Sequence, residues 1–558
     1  MEKIKLYQLG VILGLLLFSC GNYNTSSLES LSYAFNEWYL IQNPNFTDNL
    51  KPHNYYVKNN NMHSTYLNEY IFDLKRFRLE LMQVNKNKLN KKNLYQYNAI
   101  EEKINSLIFN YENFRYYQYN PSYYFEIINN HLLNLLTDNK ITNINRNNFI
   151  VETLDLLPTF VNKISKNIII SNDLFIKKSN KDLQKTIQII DNIPLYIESN
   201  DDVIKNIENK IDISKRYLKR YSEWLNSELN TGLILDKKNT SQIYDKRIIS
   251  LEKKYNHQRL IYSLDLSIKN LQNKIFDLSL PIYLENNDEP IWLDREDTLN
   301  VINYIIENKF DNKSIELDNI SKVINFNDSY DALLSFIDEK DIVKTKKFSK
   351  VYFPDYDMFF DQDKSIFLSN NSYKIEEIKV LFNNSYKYVD DKEVYFFIIN
   401  EILTKHVFDL YNANNYPVMY NDVNHYTWGK LLSKIIIQYQ PKFLDSNFEI
   451  YHNIQLLKDF TILATRHKYI NGNINKNQAL NILSREAFID NPEMMDDLWM
   501  DILYNNNLNL EHYAAYIHIS NLYDTHCIID NNISTKKIIK KIFQYGFIPV
   551  YNYKSILN

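Results

Sequence analysis

Glycine is scarce. The chain has seven in 558 residues, and Gly10, Gly14 and Gly21 lie in or beside its opening apolar run. That leaves Gly232, Gly429, Gly472 and Gly546 for a folded body. Loops that cradle phosphate need clustered glycines, so that backbone N–H groups can approach the ligand. Rossmann and P-loop readings are therefore excluded, and no nucleotide is expected as a partner. Cysteine is scarcer still, with only Cys20 and Cys527. If Cys20 is consumed by lipid, no disulfide can form within the chain, and stability has to come from the core. Excess charge of one sign is also missing. Sixty-four basic residues face 68 acidic ones, so the whole chain carries no electrostatic footprint for nucleic acid. There is no nucleophile elbow to start Ser-His-Asp chemistry and no internal repeat. The forty-five tyrosines accompany abundant Asn, Ile and Lys. These residues share A/T-rich codons, so tyrosine content alone does not argue for a binding surface.

What is present begins with a targeting pattern. Lys3 and Lys5 precede "LGVILGLLLFS", which ends at Cys20. A basic start, a short apolar run and a small residue before the cut describe a secretory signal, and the run is short for a membrane span. The cysteine after Leu17-Phe18-Ser19 makes it resemble a bacterial lipoprotein signal rather than an uncleaved anchor or a plain secretory peptide, with Cys20 expected as the acylated N-terminus of the mature chain. The expected partner of Cys20 is a lipid bilayer, reached through a polar tether over 20–30. Gly21 offers no acidic retention signal, so outer membrane or cell surface is preferred over the inner membrane.

The dominant period is helical. In "DDVIKNIENKIDISKRYLKRYSEWLNSEL", Val203, Ile204, Ile207, Ile211, Leu218, Tyr221 and Leu225 recur at spacings of three, four or seven. Similar patterns predict helices near 65–83, 91–112, 122–137, 147–178, 259–276, 391–412, 449–468 and 509–528, and a last one after Ser534 stopped by Gly546 and Pro549. Between about 280 and 390 the prolines Pro281, Pro290 and Pro354 interrupt the period, and short aromatic runs suggest loops with brief strands. The expectation is a mostly α protein: a signal over 1–19, the tether, a helical region over 31–280, an irregular segment with short strands over 281–390, and a helical region over 391–558.

The segment "NEILTKHVFD", Asn400 to Asp409, carries the functional question. Together with "YTWGKLLS", "TLDLLPTFVNKI", "YSEWLNSELN" and the closing "STKKIIKKIFQYGFIPVYNYKSIL", it resembles the bacterial domain of unknown function 885 family, whose members are often lipoproteins and have a zincin-like α-helical body. That family's motif has the form H-E-x-x-P-G-H-x-x-Q. On this alignment Glu401 and His406 match. Asn400 stands for the first histidine, Thr404 and Lys405 for the Pro-Gly pair, and Asp409 for the glutamine. Of the family's downstream E-G-W-x-x-Y-x-E, only Trp428 is kept, with Tyr426 and Ser433 at the glutamate positions. A later Arg, Asp and His set falls on Ile462, Arg466 and Ile470. The resemblance implies a degenerate member: the frame without the metal chemistry.

Zinc needs three protein ligands and an open position, and a neutral amide such as Asn400 competes poorly for it. Six residues on a straight helix turn positions 400 and 406 about 120° apart. Without Pro-Gly to bend it, the helix is expected to run unbroken, with His406 on the apolar stripe of Ile399, Ile402, Leu403, Val407 and Leu410, and Glu401 away from it. Two other metal readings are open. His406 with His512 and His518 would form a rearranged site, and Asp355, Asp357, Asp361 and Asp363 a calcium loop, which lacks the glycine and final glutamate of an EF-hand. Lys536, Lys537, Lys540 and Lys541 form a basic face. The leading expectation is a lipid-anchored protein that acts in binding or scaffolding without catalysis, with a peptide or protein as the expected ligand. The alternative is a zinc-dependent hydrolase of peptides or amides, with Glu401 as general base and His406 as a ligand.

Overall fold

The computed structural model describes residues 25–42, 64–137, 142–171, 173–197, 201–227, 237–285, 295–307, 319–343, 351–352, 366–368, 378–382, 391–411, 422–444, 446–489, 508–529, 535–545 and 548–557, with 229, 287 and 499. The fold is mostly α. Helices α1 (Thr25–Gln42), α2 (Ser64–Met82) and α3 (Lys91–Ile108) open it. Helices α4 (Ser122–Thr137), α5 (Asn143–Asn167), α6 (Asp173–Asn192) and α7 (Asp201–Ser227) follow, then α8 (Lys237–Tyr255), α9 (Leu260–Leu284), α10 (Arg295–Ile305) and α11 (Asn319–Glu339).

Three short strands come next: β1 (Val351–Tyr352), β2 (Ile366–Leu368) and β3 (Ile378–Phe382), in the order β1-β3-β2. β1 runs parallel to β3 with Val351 opposite Ile378, and β2 antiparallel to it with Phe367 opposite Leu381. They lie where the broken period suggested strands. Two helices, α10 and α11, also lie between residues 281 and 390. Pro281 sits inside α9, in its last turn, and Pro290 and Pro354 lie outside the described residues.

The chain continues through α12 (Asp391–Phe397), a π-helical turn (Ile398–Leu403) and α13 (Thr404–Tyr411), and then α14 (Asp422–Gln438), α15 (Ser446–Ile470), α16 (Lys476–Ala487), α17 (Leu510–Ile529), α18 (Thr535–Phe543) and α19 (Tyr553–Leu557). The stretch read as one helix near 147–178 is two, α5 and α6, separated by extended backbone at Ile168.

The helices bury two large cores. α4–α7 enclose one of them. In α7, Ile207, Ile211, Ser214, Leu218, Tyr221 and Leu225 are its buried residues, at alternating three- and four-residue steps that keep them on one face. Asp201 and Asp202 sit in the first turn of α7, at the positive end of its dipole. His131 is buried here, with Nε2 hydrogen-bonded to the Thr153 hydroxyl at 3.1 Å.

The other core joins both ends of the chain. It runs from Leu28 to Ile108 and again from Ile248 to Leu557. Tyr95 meets Ser555 at 2.7 Å, and Asn98 donates to Asn552. Within it Lys254 of α8 donates to Glu102 of α3 at 2.6 Å and also to Glu511 of α17, so one ammonium ties three helices. Burial, with the Glu511 charge beside it, pushes Glu102 up to about 7, whereas Lys254 holds Glu511 down at about 2. Among the described residues, no helix is long and apolar enough to cross a membrane.

Two tests follow from the α4–α7 core. Leu218 is fully buried, so Leu218→Ala should cost about 2–5 kcal/mol in urea unfolding. A loss within error of zero would show that this face is not packed. His131 is pushed down from 6.5 to about 3 by burial alone. It folds neutral, so its contribution is complete above pH 6.5 and is lost as pH falls toward 3. Replacing it with Asn should flatten the acid limb of stability against pH by up to about 1.4 kcal/mol per pH unit, and an unchanged slope would refute this.

Candidate functional site

The segment Asn400–His406 lies inside one continuous helical stretch, Asp391–Tyr411. It is not a straight α-helix, because Ile398–Leu403 form a π turn. A π turn inserts an extra residue, so angles computed on a straight helix do not hold across it. Thr404 supports the turn: its hydroxyl donates to the Ile399 carbonyl at 3.1 Å, while its N–H goes to the Glu401 carbonyl. There is also no single apolar stripe. From Ile398 to Phe408 every residue except Glu401 is buried, because α11, α14 and α15 pack around α12 and the π turn.

Helix α14 approaches closely at Gly429. A Cβ there would lie 2.8 Å from Asn400 Oδ1 and 3.1 Å from both its Cα and its carbonyl oxygen. Glycine lets the two backbones meet. The contact brings several of the aligned positions together. Asn400 Nδ2 donates to the Ser433 hydroxyl at 3.1 Å and to the Phe396 carbonyl at 2.9 Å. Trp428 is fully buried, and its indole N–H donates to the Tyr553 hydroxyl at 3.0 Å.

Glu401 and His406 take different partners. The Glu401 carboxylate pairs with His425 Nε2 of α14 at 2.9 Å, and its side chain is 41% exposed against 15% for His425. His406 is buried, with Nε2 hydrogen-bonded to the Tyr330 hydroxyl of α11 at 3.1 Å. Lys405 is buried beside them. Burial holds its ammonium below the ordinary value, against the opposing pull of Glu401. Asp409 lies on α13.

The structure adds partners that motif reading missed. Tyr426, aligned with a glutamate, donates to Asp459 of α15 at 2.9 Å. Lys430 reaches the same carboxylate at 3.4 Å, over the rings of Phe396 and Tyr426. Burial, with the Asp459 charge, raises Tyr426 well above its usual value. The signal for this was available: Tyr426 and Lys430 are four apart on one helix and share a face. Nothing local pointed to Asp459 or His425.

Other candidates are dispersed. His512 meets the Tyr426 ring edge-on at 5.2 Å, and its Nδ1 accepts from the Asn509 N–H. His518 packs against Tyr255. Burial lowers both rings to about 4, so both are neutral at pH 7. Arg466 donates to the Leu508 carbonyl at 2.5 Å. Among the described residues, no three of His, Cys, Asp or Glu gather as a metal-holding group. Cys20 and Asp355, Asp357, Asp361 and Asp363 lie outside the described residues. On the closing basic face, Lys536 pairs with Asp341 and Lys541 donates to the Leu557 carbonyl, while Lys537 and Lys540 are exposed.

Chemically, the Glu401–His425 pair is a carboxylate orienting an imidazole, an arrangement that can move a proton. Asn400, Thr404, Lys405, His406, Trp428 and Ser433 are packed as interior. Gly429→Ala should lower stability by about 1–3 kcal/mol, the usual cost of overpacking. Adding Asn400→Ala should recover only part, since two of the three short contacts are to the Asn400 backbone. Full recovery in thermal melts would show that the close approach is not between backbones.

No protein-family profile matches this chain. Nor does any curated protein sequence match it. Among solved structures the fold is similar to a protein described as a candidate lipoprotein of unknown function from Shewanella oneidensis, with 13% identity and a TM-score of 0.66, over 95% of this chain and all of that one. It is also similar to a candidate lipoprotein from Colwellia psychrerythraea, with 10% identity and a TM-score of 0.67, over 96% of this chain and 99% of that one. At these identities the likeness is one of fold.

Proposed function

We propose that this chain is a bacterial lipoprotein, held on the outer membrane or cell surface by acyl chains on Cys20, and that it works by binding a peptide or protein ligand without catalysis. The "LLLFSCG" signal supports the anchor. So does the likeness in fold to two proteins described as candidate lipoproteins. On this reading it is a degenerate relative of the domain of unknown function 885 family.

One observation carries the non-catalytic reading. The positions that the family's chemistry would need open to substrate are closed: Asn400, Thr404, Lys405, His406 and Ser433 are all buried, and Asn400 and His406 are bonded to Ser433 and Tyr330. A metal ligand must offer a free lone pair at an accessible position.

The second reading is the hydrolase, with Glu401 as general base. The observation that favours it is the same residue's half-open carboxylate, paired with His425. On this version His425, not His406, is the partner of Glu401.

The test has two arms. Cys20→Ala should move the chain from the detergent phase to the aqueous phase. The purified chain should carry no stoichiometric zinc after mild dialysis, and its peptide hydrolysis should equal that of Glu401→Gln. Stoichiometric zinc with hydrolysis abolished by Glu401→Gln would replace the binding reading with the hydrolase. A Cys20→Ala chain that stays with detergent would remove the anchor.

A further inference from the structure

We infer that the outer face of α2, with the lysine-bearing turn that follows it, is the surface on which this protein lies against an anionic bilayer. The inference rests on the lipid-anchor reading and adds an orientation to it.

The direction of α1 comes from its contacts with α2. Phe35 packs on Phe77 at 5.4 Å, and three residues further on Trp38 reaches Tyr70 at 4.9 Å and Asp73 through its indole N–H. As α1 advances, its partners on α2 recede, so the two helices are antiparallel. At about 1.5 Å per residue, Thr25 lies roughly 15 Å back from Phe35, beyond Met82 and beside the turn at residues 83–90. A bond from Gln96 of α3 to the Ser32 hydroxyl, at 2.8 Å, places the start of α3 at this end too. Four residues lie between Cys20 and Thr25, and the five steps reach about 17 Å at full extension. An acylated Cys20 therefore keeps this end of the molecule next to the bilayer.

The surface there suits a charged lipid interface. Phe72, Leu79 and Met82 are 68%, 59% and 67% exposed on α2. Positions 72, 79 and 82 fall on one side of the helix, with exposed Arg76, paired to Asp73 at 3.2 Å, and exposed Glu69 beside them, so the free cations are those of the following turn. Just beyond, "QVNKNKLNKK" (residues 83–92) holds four lysines and no acidic residue. Lys88, Lys91 and Lys92 are exposed. Lys86 folds back onto Glu101 at 3.1 Å and over the Tyr97 ring. Apolar side chains flanked by cations on a helix face are what an interfacial helix offers to anionic headgroups. An acyl chain supplies attachment without orientation, and this patch supplies the orientation.

The experiment uses the full acylated chain in a Cys527→Ser background, reconstituted on phosphatidylcholine vesicles with or without phosphatidylglycerol and containing nitroxide-labelled lipid. A bimane is attached at Met82→Cys, with Leu79→Cys as a second site. Tyr262→Cys, exposed on α9, is the control. Expected is at least twofold stronger quenching at Met82 and Leu79 than at Tyr262, weakened without phosphatidylglycerol and by joint Lys88→Glu, Lys91→Glu and Lys92→Glu. If the chain floats with vesicles but Met82 is as bright as Tyr262, the docking face is wrong and the anchor stands. If the chain does not float, both fall. Equal quenching on neutral vesicles overturns the anionic surface. Shielding of Met82 that grows with protein concentration and ignores nitroxide lipid assigns the face to a second copy of the chain, which also overturns it.

Discussion

The contact on which the candidate region depends is the meeting of two backbones, α14 at Gly429 and the π turn at Asn400. A side chain at position 429 would push the helices apart. With the helices close, Asn400 is within reach of Ser433, and His425, one turn back along α14, is within reach of Glu401. The π turn is the other half of the arrangement. Its extra residue changes the phase of the helix between Phe397 and Thr404. That shift lets Glu401 face His425 on α14 while His406 faces Tyr330 on α11.

The consequence for chemistry is a division between inside and edge. Inside, Lys405 and Lys430 are buried cations, and half-buried Tyr426 and Asp459 are bonded to each other beside Lys430. Such groups are tolerable only when paired, and Lys430 is: it shares the Asp459 carboxylate with Tyr426 and lies over two rings. Nearer the edge is Glu401, its side chain 41% exposed. A helix that reads in sequence as amphipathic, with one open face, is in fact surrounded. Where a cleft would begin, the structure offers one carboxylate and one imidazole.

Much of the helical frame was legible because burial imposes a period. Ile207, Ile211, Leu218, Tyr221 and Leu225 could be placed on one face of a helix from spacing alone, and they are buried together. The helices α1, α8 and α16 left a weaker trace, and the boundary between α5 and α6 at Ile168 left none, since apolar residues continue across it. For the candidate region, sequence located the segment and its helical state but not its rotation. The phase argument assumed a straight helix, and a π turn has no simple signature in a run such as "FFIINEILTK". The partners were illegible for a different reason. Tyr330 and His406 are 76 positions apart, and Tyr426 and Asp459 are 33 apart. No local pattern encodes such pairings.

The union of both chain ends in one core sets an order of assembly. Tyr95 needs Ser555, 460 positions later, and Lys254 needs Glu511, 257 positions later. Until α17 and α19 exist, α1–α3 lack the partners that Glu511 and Ser555 supply, although α8 already reaches them through Lys254 and Glu102. The α4–α7 bundle has no such wait, because its ties span shorter separations, such as the 57 positions between Thr186 and Asn129. Closing short loops comes before closing long ones, since the entropy of bringing ends together grows with their separation. A chain emerging from its N-terminus would therefore carry a finished inner bundle between two unfinished flanks, and its largest core would close only when α17 and α19 arrive.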